Sequence, residues 1–321
     1  MTTKILVAES TGFSREAADL LRSVGEVTFA DLDRPGLLSA VEDTNVLMIR
    51  LRHRIDQEVL DRAPKLETLV SPTTGLNHID VSALKRRGIR LLSLQGEVDF
   101  LKDVRATAEH TIGLMLALLR SISPAAEDVK SGHWNRDAFR GGELHRRKIG
   151  IIGYGRIGTL VKRYLHAFEA DTRISDPLAD ENSLRLEELL EWSDLVTLHA
   201  SWSSANDRFF SLNCFERMKP GSFFVNTARG ELVDETALLE SLKSGKLGGA
   251  ALDVLADEQH LEAGNHPLVA YARSHSNLLI TPHIGGCTAE SMAKTEIFLA
   301  ERLRQTLDHR KLEEKTNLIH V

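Results

Sequence analysis

The chain has 321 residues, 42% hydrophobic and 27% charged, with 46 acidic against 40 basic side chains and a net charge of −6. That length suggests two domains, each able to bury a core, and the acidic balance argues against general binding to nucleic acid or a membrane surface. Cys214 and Cys287 are the only cysteines and stand in no metal-ligand spacing, so no metal site is expected and a reducing cytoplasm is the simplest setting.

The first residues, Met-Thr-Thr-Lys-Ile-Leu-Val-Ala, read as a strand and not as a signal peptide. Residues 4–103 then alternate strands and helices. Strands are expected at 5–8, 27–29, 46–49, 66–70 and 90–94, with helices such as 15–24 and 81–87 between them. Such alternation predicts a parallel sheet covered on both faces. No glycine fingerprint follows the first strand, where the turn reads Glu9-Ser-Thr-Gly-Phe.

Two turns at strand ends are candidate ligand sites, because open α/β sheets bind at the carboxyl ends of their strands. One holds Arg50, Arg52, His53 and Arg54, which together suggest an anionic ligand. A solvated basic turn is an equal reading for His53 and Arg54, and a weaker one for Arg50 and Arg52. The other turn holds Gly75 and Asn77, suited to close backbone approach and a polar contact.

A long helix is expected over 104–120, apolar nearly all round in its later turns and therefore buried, either within the chain or against a second subunit. Its most apolar stretch, 111–119, is too short to span a bilayer. A second helix is expected at 124–131, followed by Gly132-His-Trp-Asn135 and a polar connection whose basic run, 145–148, reads as a solvated loop.

A strand ending near Ile152 then runs into Gly153, Gly155 and Gly158, spaced G-x-G-x-x-G, and a helix from 157 to 168. Gly153 permits the tight turn, Gly155 lets backbone approach a pyrophosphate, and Gly158 lets helix pack on strand. The helix start offers free N–H groups to phosphates. A second strand ends at Asp176-Pro177, about 20 residues on, where an acid binds the adenosine ribose hydroxyls. Its charge would oppose a 2′-phosphate and no Arg follows closely, so NAD is preferred over NADP.

Further strands are expected at 195–198, 222–226, 247–252 and 278–281, with helices at 234–244 and 289–308. Just past three successive strand ends stand Arg229, Glu258 and His283. An arginine can hold a carboxylate through two parallel bonds. A histidine exchanges protons near neutral pH, and a carboxylate beside it favours the imidazolium. Singly, each could be an ordinary strand-end or loop residue. Together, in a nucleotide-binding fold, they equip the chain for hydride transfer at a hydroxy-acid carbon.

Across essentially its whole length the chain resembles the D-isomer-specific 2-hydroxyacid dehydrogenases. The resemblance rests on the segments 75–80, 108–111, 151–158, 218–221, 225–234, 251–254 and 281–286. It implies two doubly wound α/β parallel-sheet domains: a Rossmann cofactor domain over 104–290, and a discontinuous flavodoxin-like substrate domain from 1–103 and 291–321. It implies that Arg229, Glu258 and His283 are catalytic. Cofactor contacts would come from Arg156, Ile157, Asp176, His199, Thr227, Asp253 and Gly285, and substrate contacts from Arg50, Gly75 and Asn77. Hinge closure between the domains would exclude water, and a homodimer would form through 104–131. Gly132-His-Trp-Asn135 and the Arg50-x-Arg52 pattern point within the family toward the D-3-phosphoglycerate dehydrogenases, with Arg52 beside Arg50 for a second anionic group. Ending at Val321, the chain would lack the regulatory domain such proteins often carry. Gln259, Leu255, Ser201-Trp202 and Pro72-Thr-Thr74 depart from the usual pattern and leave the substrate open. A glyoxylate or hydroxypyruvate reductase is the alternative, and an NAD-sensing protein without activity a more distant one.

Overall fold

The computed structural model describes residues 2–179 and 182–319. The chain divides into two units: residues up to Val104 together with those from Thr288 onward, and Arg105–Cys287.

The first unit carries five parallel strands, β1 Lys4–Val7, β2 Glu26–Phe29, β3 Val46–Met48, β4 Thr68–Ser71 and β5 Arg90–Ser93, in the order β2-β1-β3-β4-β5. This is the flavodoxin-like order. Strand periodicity sends alternate side chains to opposite faces. Ile5 and Val7 pack with Leu21, Leu299 and Leu303, while Leu6 and Ala8 pack with Leu37, Val59, Leu60 and Leu84. Each fully buried aliphatic side chain is worth about 1.5–3 kcal/mol. Four of the covering helices start on a polar cap. The side chains of Ser14, Asp33, Asp56 and Asp80 accept from the backbone N–H of Ala17, Gly36, Val59 and Ala83, which satisfies donors that a helix start leaves unpaired.

The second unit holds six parallel strands, β6 Lys148–Ile152, β7 Asp171–Ser175, β8 Leu195–Leu198, β9 Ser222–Asn226, β10 Leu247–Leu252 and β11 Leu278–Ile280, ordered β7-β6-β8-β9-β10-β11. The winding reverses at β6, so the crevice for a ligand opens past its carboxyl end. Helices Ala106–Leu119 and Arg156–Ala167 share a core with Ile149, Ile151, Val225 and Ala251, and Phe210, Phe215 and Phe224 fill the opposite face. The apolar helix thus buries its side chains inside this unit.

Three helices differ from expectation at their ends. The helix expected from 104 starts at Ala106, after a separate short helix Val98–Leu101 and a turn. Ser121, at φ 51°, breaks the chain before Ile122–Lys130, whose first turn accommodates Pro124. The last helix runs Ala289–Ile319, past the expected end at 308, since no Gly or Pro follows to stop it.

Candidate active site

The ends of β6, β7 and β8 meet at the glycine turn. Gly153, at φ 87°, donates its N–H to Ser175 O at 2.9 Å, and a Cβ there would stand 2.5 Å from Ala200 N. A Cβ on Gly158 would strike the carbonyl oxygen of Gly153 at 2.1 Å, so helix and turn can close only without it. Gly155 caps the helix Arg156–Ala167 with no side chain on the first N–H groups and open space where its Cβ would be. The Asp176 carboxylate accepts from Tyr154 N (2.6 Å) through Oδ2 and Leu178 N (2.8 Å) through Oδ1. Each oxygen keeps a lone pair for a ribose hydroxyl. His199 bonds Thr197 Oγ1 through Nε2 at 2.9 Å, and its buried Nδ1 has no partner. Burial pushes its pKa down to about 3, so the ring is neutral. Burial also holds Arg156 below the usual guanidinium range, and Ile157 packs against the core beneath it. A helix start without a side-chain cap, an open cradle at Gly155 and an unpartnered imidazole nitrogen fit a dinucleotide.

β9, β10 and β11 are neighbours in the sheet, and the turns that follow them carry Arg229, Glu258 and His283. His283 Nδ1 lies 2.6 Å from Glu258 Oε2, and Leu255 N donates to Glu258 Oε1 at 3.1 Å. The ring nitrogen on Glu258 is thereby fixed, and Nε2 is left to meet another group. Both His283 (φ 52°) and Asp257 (φ 53°) adopt left-handed backbone, uncommon outside glycine and concentrated at functional sites. The guanidinium of Arg229 bonds the carbonyl of Ala228 at 2.6 Å. Burial holds Arg229 below its usual range, opposed by the charges of Glu258 and Glu231. Gly230 explains how the two turns come so close, because a Cβ there would lie 1.9 Å from the carbonyl carbon of Leu255.

Asp253 faces inward. Its Oδ1 accepts from His110 Nε2 (3.1 Å), Thr281 Oγ1 (2.6 Å) and Ile284 N (2.9 Å), and its Oδ2 from Gly285 N (2.7 Å), while its carbonyl accepts from His283 N (2.8 Å). Burial alone would raise its pKa, but these bonds hold it below the usual carboxylate range. Asp253 and Gly285, expected at the cofactor, also hold the loop that presents His283. Thr227 likewise spends its hydroxyl on Thr111, at 2.8 Å. Asn226 ties the turn before Arg229, its side chain accepting from Ala228 N and donating to Arg229 O, both at 2.9 Å. Sequence reading gave no role to Asn226, His110 or Thr281, since His110 finds Asp253 across 143 residues and no local spacing signals such a bond.

In the first unit, Arg50 and Arg52 follow β3 and Gly75 and Asn77 follow β4. Arg50 is engaged with Glu296 and Arg52 with Asp31. Gly75 O accepts from Thr73 Oγ1 at 2.9 Å, and Asn77 is half-buried in the same turn. Among the described residues no cluster suits a metal ion, and no helix is long and apolar enough to cross a membrane.

A family model for "D-isomer specific 2-hydroxyacid dehydrogenase, NAD binding domain" matches residues 112–285. A D-3-phosphoglycerate dehydrogenase of Archaeoglobus fulgidus is 34% identical over 93% of this chain and 56% of its own length, so the chain spans little more than half of that relative. A hydroxypyruvate reductase of Thermotoga maritima is 32% identical over 91% of this chain and 95% of its own. Among solved structures, an NAD-dependent formate dehydrogenase from Staphylococcus aureus in complex with NAD matches with TM-score 0.82 and 26% identity, over 96% of each chain.

Proposed function

The chain belongs to the D-isomer-specific 2-hydroxyacid dehydrogenase family, and from that membership we propose that it is an NAD-dependent oxidoreductase acting on a small D-2-hydroxy acid or its 2-keto acid. The observation that carries this reading is the 2.6 Å pair of His283 and Glu258 on the strand ends next to Arg229.

Bound NAD supplies the hydride acceptor, or as NADH the donor. Arg229 holds the substrate carboxylate, a role suited to a half-buried guanidinium that bonds the neutral carbonyl of Ala228. His283 takes the hydroxyl proton through Nε2 during oxidation and returns it to the forming hydroxyl during reduction. Glu258 stabilises the imidazolium and fixes the ring. Asp253 positions the loop beneath His283. Asp176 selects NAD, since its carboxylate would repel a 2′-phosphate.

A homodimer through residues 104–131 is the oligomeric state we propose. Ile122 (52% exposed) and Val129 (51%) offer an apolar face there, and Trp134 (84%) follows it. Charged substitutions at Ile122 and Val129 should then give a monomer by light scattering. The decisive experiment is NADH oxidation with a panel of 2-keto acids. An NAD sensor would bind NADH and oxidise it with none of them, and that result would end the dehydrogenase reading.

A further inference from the structure

Glu258 reaches His283 from the excursion that joins β10 to the helix Pro267–Ala272. Within it the short turn Glu258–His260 closes on itself. His260 N donates to Asp257 O at 3.0 Å, and Leu261 N to Glu258 O at 3.2 Å. A turn bonded to itself moves as a piece, so its aim depends on how its ends are tied to the surrounding unit. Both ends lead to one side chain. Glu235 Oε1 accepts from Ala256 N at 2.8 Å, two residues before Glu258. Glu235 Oε2 lies 3.1 Å from Nε2 of His266, the residue just before Pro267.

Local sequence frees Glu235 for this task. Asp234 caps the helix Glu235–Lys243, accepting from Thr236 N at 3.0 Å and Ala237 N at 3.1 Å. The Glu235 carboxylate is thereby left in the first turn, where the partial positive charge of the helix start favours an anion. Nδ1 of His266 is buried without a hydrogen-bond partner, so Nε2 carries the proton that faces Glu235. Burial pushes the Glu235 carboxyl upward, against the pull of Ala256 N–H and His266. A pair this buried, 15% and 20% exposed, adds little net stability, yet its bonds fix where Ala256 stands. Ala256 is also held from the other side. A Cβ on Gly230 would come 2.2 Å from Ala256 N, so the stretch 229–235 grips that peptide with Gly230 and Glu235 while presenting Arg229. Asp257, next in the chain, is left-handed at φ 53°, a conformation that a residue other than glycine keeps where its surroundings hold it.

Resting on the dehydrogenase reading above, we propose that Glu235 is a positioning residue, oriented by His266, that holds the turn from which Glu258 reaches His283. It touches neither substrate nor cofactor and acts through the Ala256 peptide alone.

The test measures kcat, NADH affinity and melting temperature for Glu235→Ala, Glu235→Gln and His266→Ala, using the 2-keto acid of the panel that the wild type reduces fastest. Each variant is made alone and together with Glu258→Gln. Glu235→Ala should lower kcat about tenfold and leave NADH affinity within about twofold. Glu235→Gln keeps an acceptor for Ala256 N and should recover kcat to within about threefold of wild type. His266→Ala releases the carboxylate without removing it and should cost about threefold. Combined with Glu258→Gln, Glu235→Ala should cost less than about twofold more, because no carboxylate is left to aim. Equal losses in both backgrounds would mark Glu235 as a packing residue and overturn the proposal. So would a Glu235→Ala rate within about twofold of wild type. If Glu235→Ala does not fold, His266→Ala in the two backgrounds decides by the same comparison. These outcomes leave the dehydrogenase reading intact. A wild type that binds NADH and reduces no 2-keto acid overturns both.

Discussion

Glu258 is proposed to work only through His283, and that makes a double-mutant cycle the sharpest test of the site. The perturbations are His283→Asn, which tolerates the left-handed backbone better than alanine, Glu258→Gln, and the two together. The Nδ1···Oε2 bond is 2.6 Å long, with both side chains about a fifth exposed (22% and 23%). A bond to a charged partner of this kind is worth about 1.5–3 kcal/mol, so Glu258→Gln should cost roughly 10–100-fold in kcat. Losing the general acid–base itself should cost about 10²–10⁴-fold. If the carboxylate acts through His283 and its charge on Arg229 adds nothing to the rate, the double variant should be no slower than His283→Asn alone. The assay is the initial rate of NADH oxidation at saturating 2-keto acid, with NADH affinity measured separately and expected to change little. Additive losses in the double variant would show that Glu258 acts elsewhere, and a His283→Asn rate within threefold of wild type would remove His283 from the chemistry.

Gly230→Ala should destabilise by about 1–3 kcal/mol and lose more activity than stability. Its methyl group would meet the carbonyl carbon of Leu255 at 1.9 Å and push away the loop that carries Glu258; thermal melting and kcat measured together check this. His199 gives a pH dependence. Its folded pKa of about 3 lies below the unfolded value near 6.5, so the unfolded chain takes up the proton first. The stability His199 contributes is therefore complete above pH 6.5 and is lost as pH falls from 6.5 toward 3. Between pH 7 and pH 5 the wild type should lose about 1–2 kcal/mol more than His199→Gln; denaturant melts at both values measure it. Asp176→Ala should weaken NADH binding and narrow the preference for NADH over NADPH by about tenfold. Equal loss for both cofactors would assign Asp176 to the turn alone, through its bonds to Tyr154 and Leu178.

Much of the architecture was legible because its signals are local. Short apolar strands such as Leu195–Leu198 and Ser222–Asn226 sit where their hydrophobic runs predict. The glycine turn is found by spacing, since each glycine answers a nearby steric demand. Arg229, Glu258 and His283 are found because parallel topology delivers successive strand ends to one edge. Helix boundaries were less legible, because Ser121 turns left-handed with no sequence mark.

Residue type and order alone therefore determined the parallel sheets, the dinucleotide turn and the placing of Arg229, Glu258 and His283 past neighbouring strand ends, since periodicity and turn chemistry act over a few residues. Only the tertiary structure decided what the charged groups do. Asp253 supports a loop and Arg50 is cancelled by Glu296, 246 residues away. A charge acts through whatever lies within a few ångströms of it, and which distant segment lies there is a property of the folded chain.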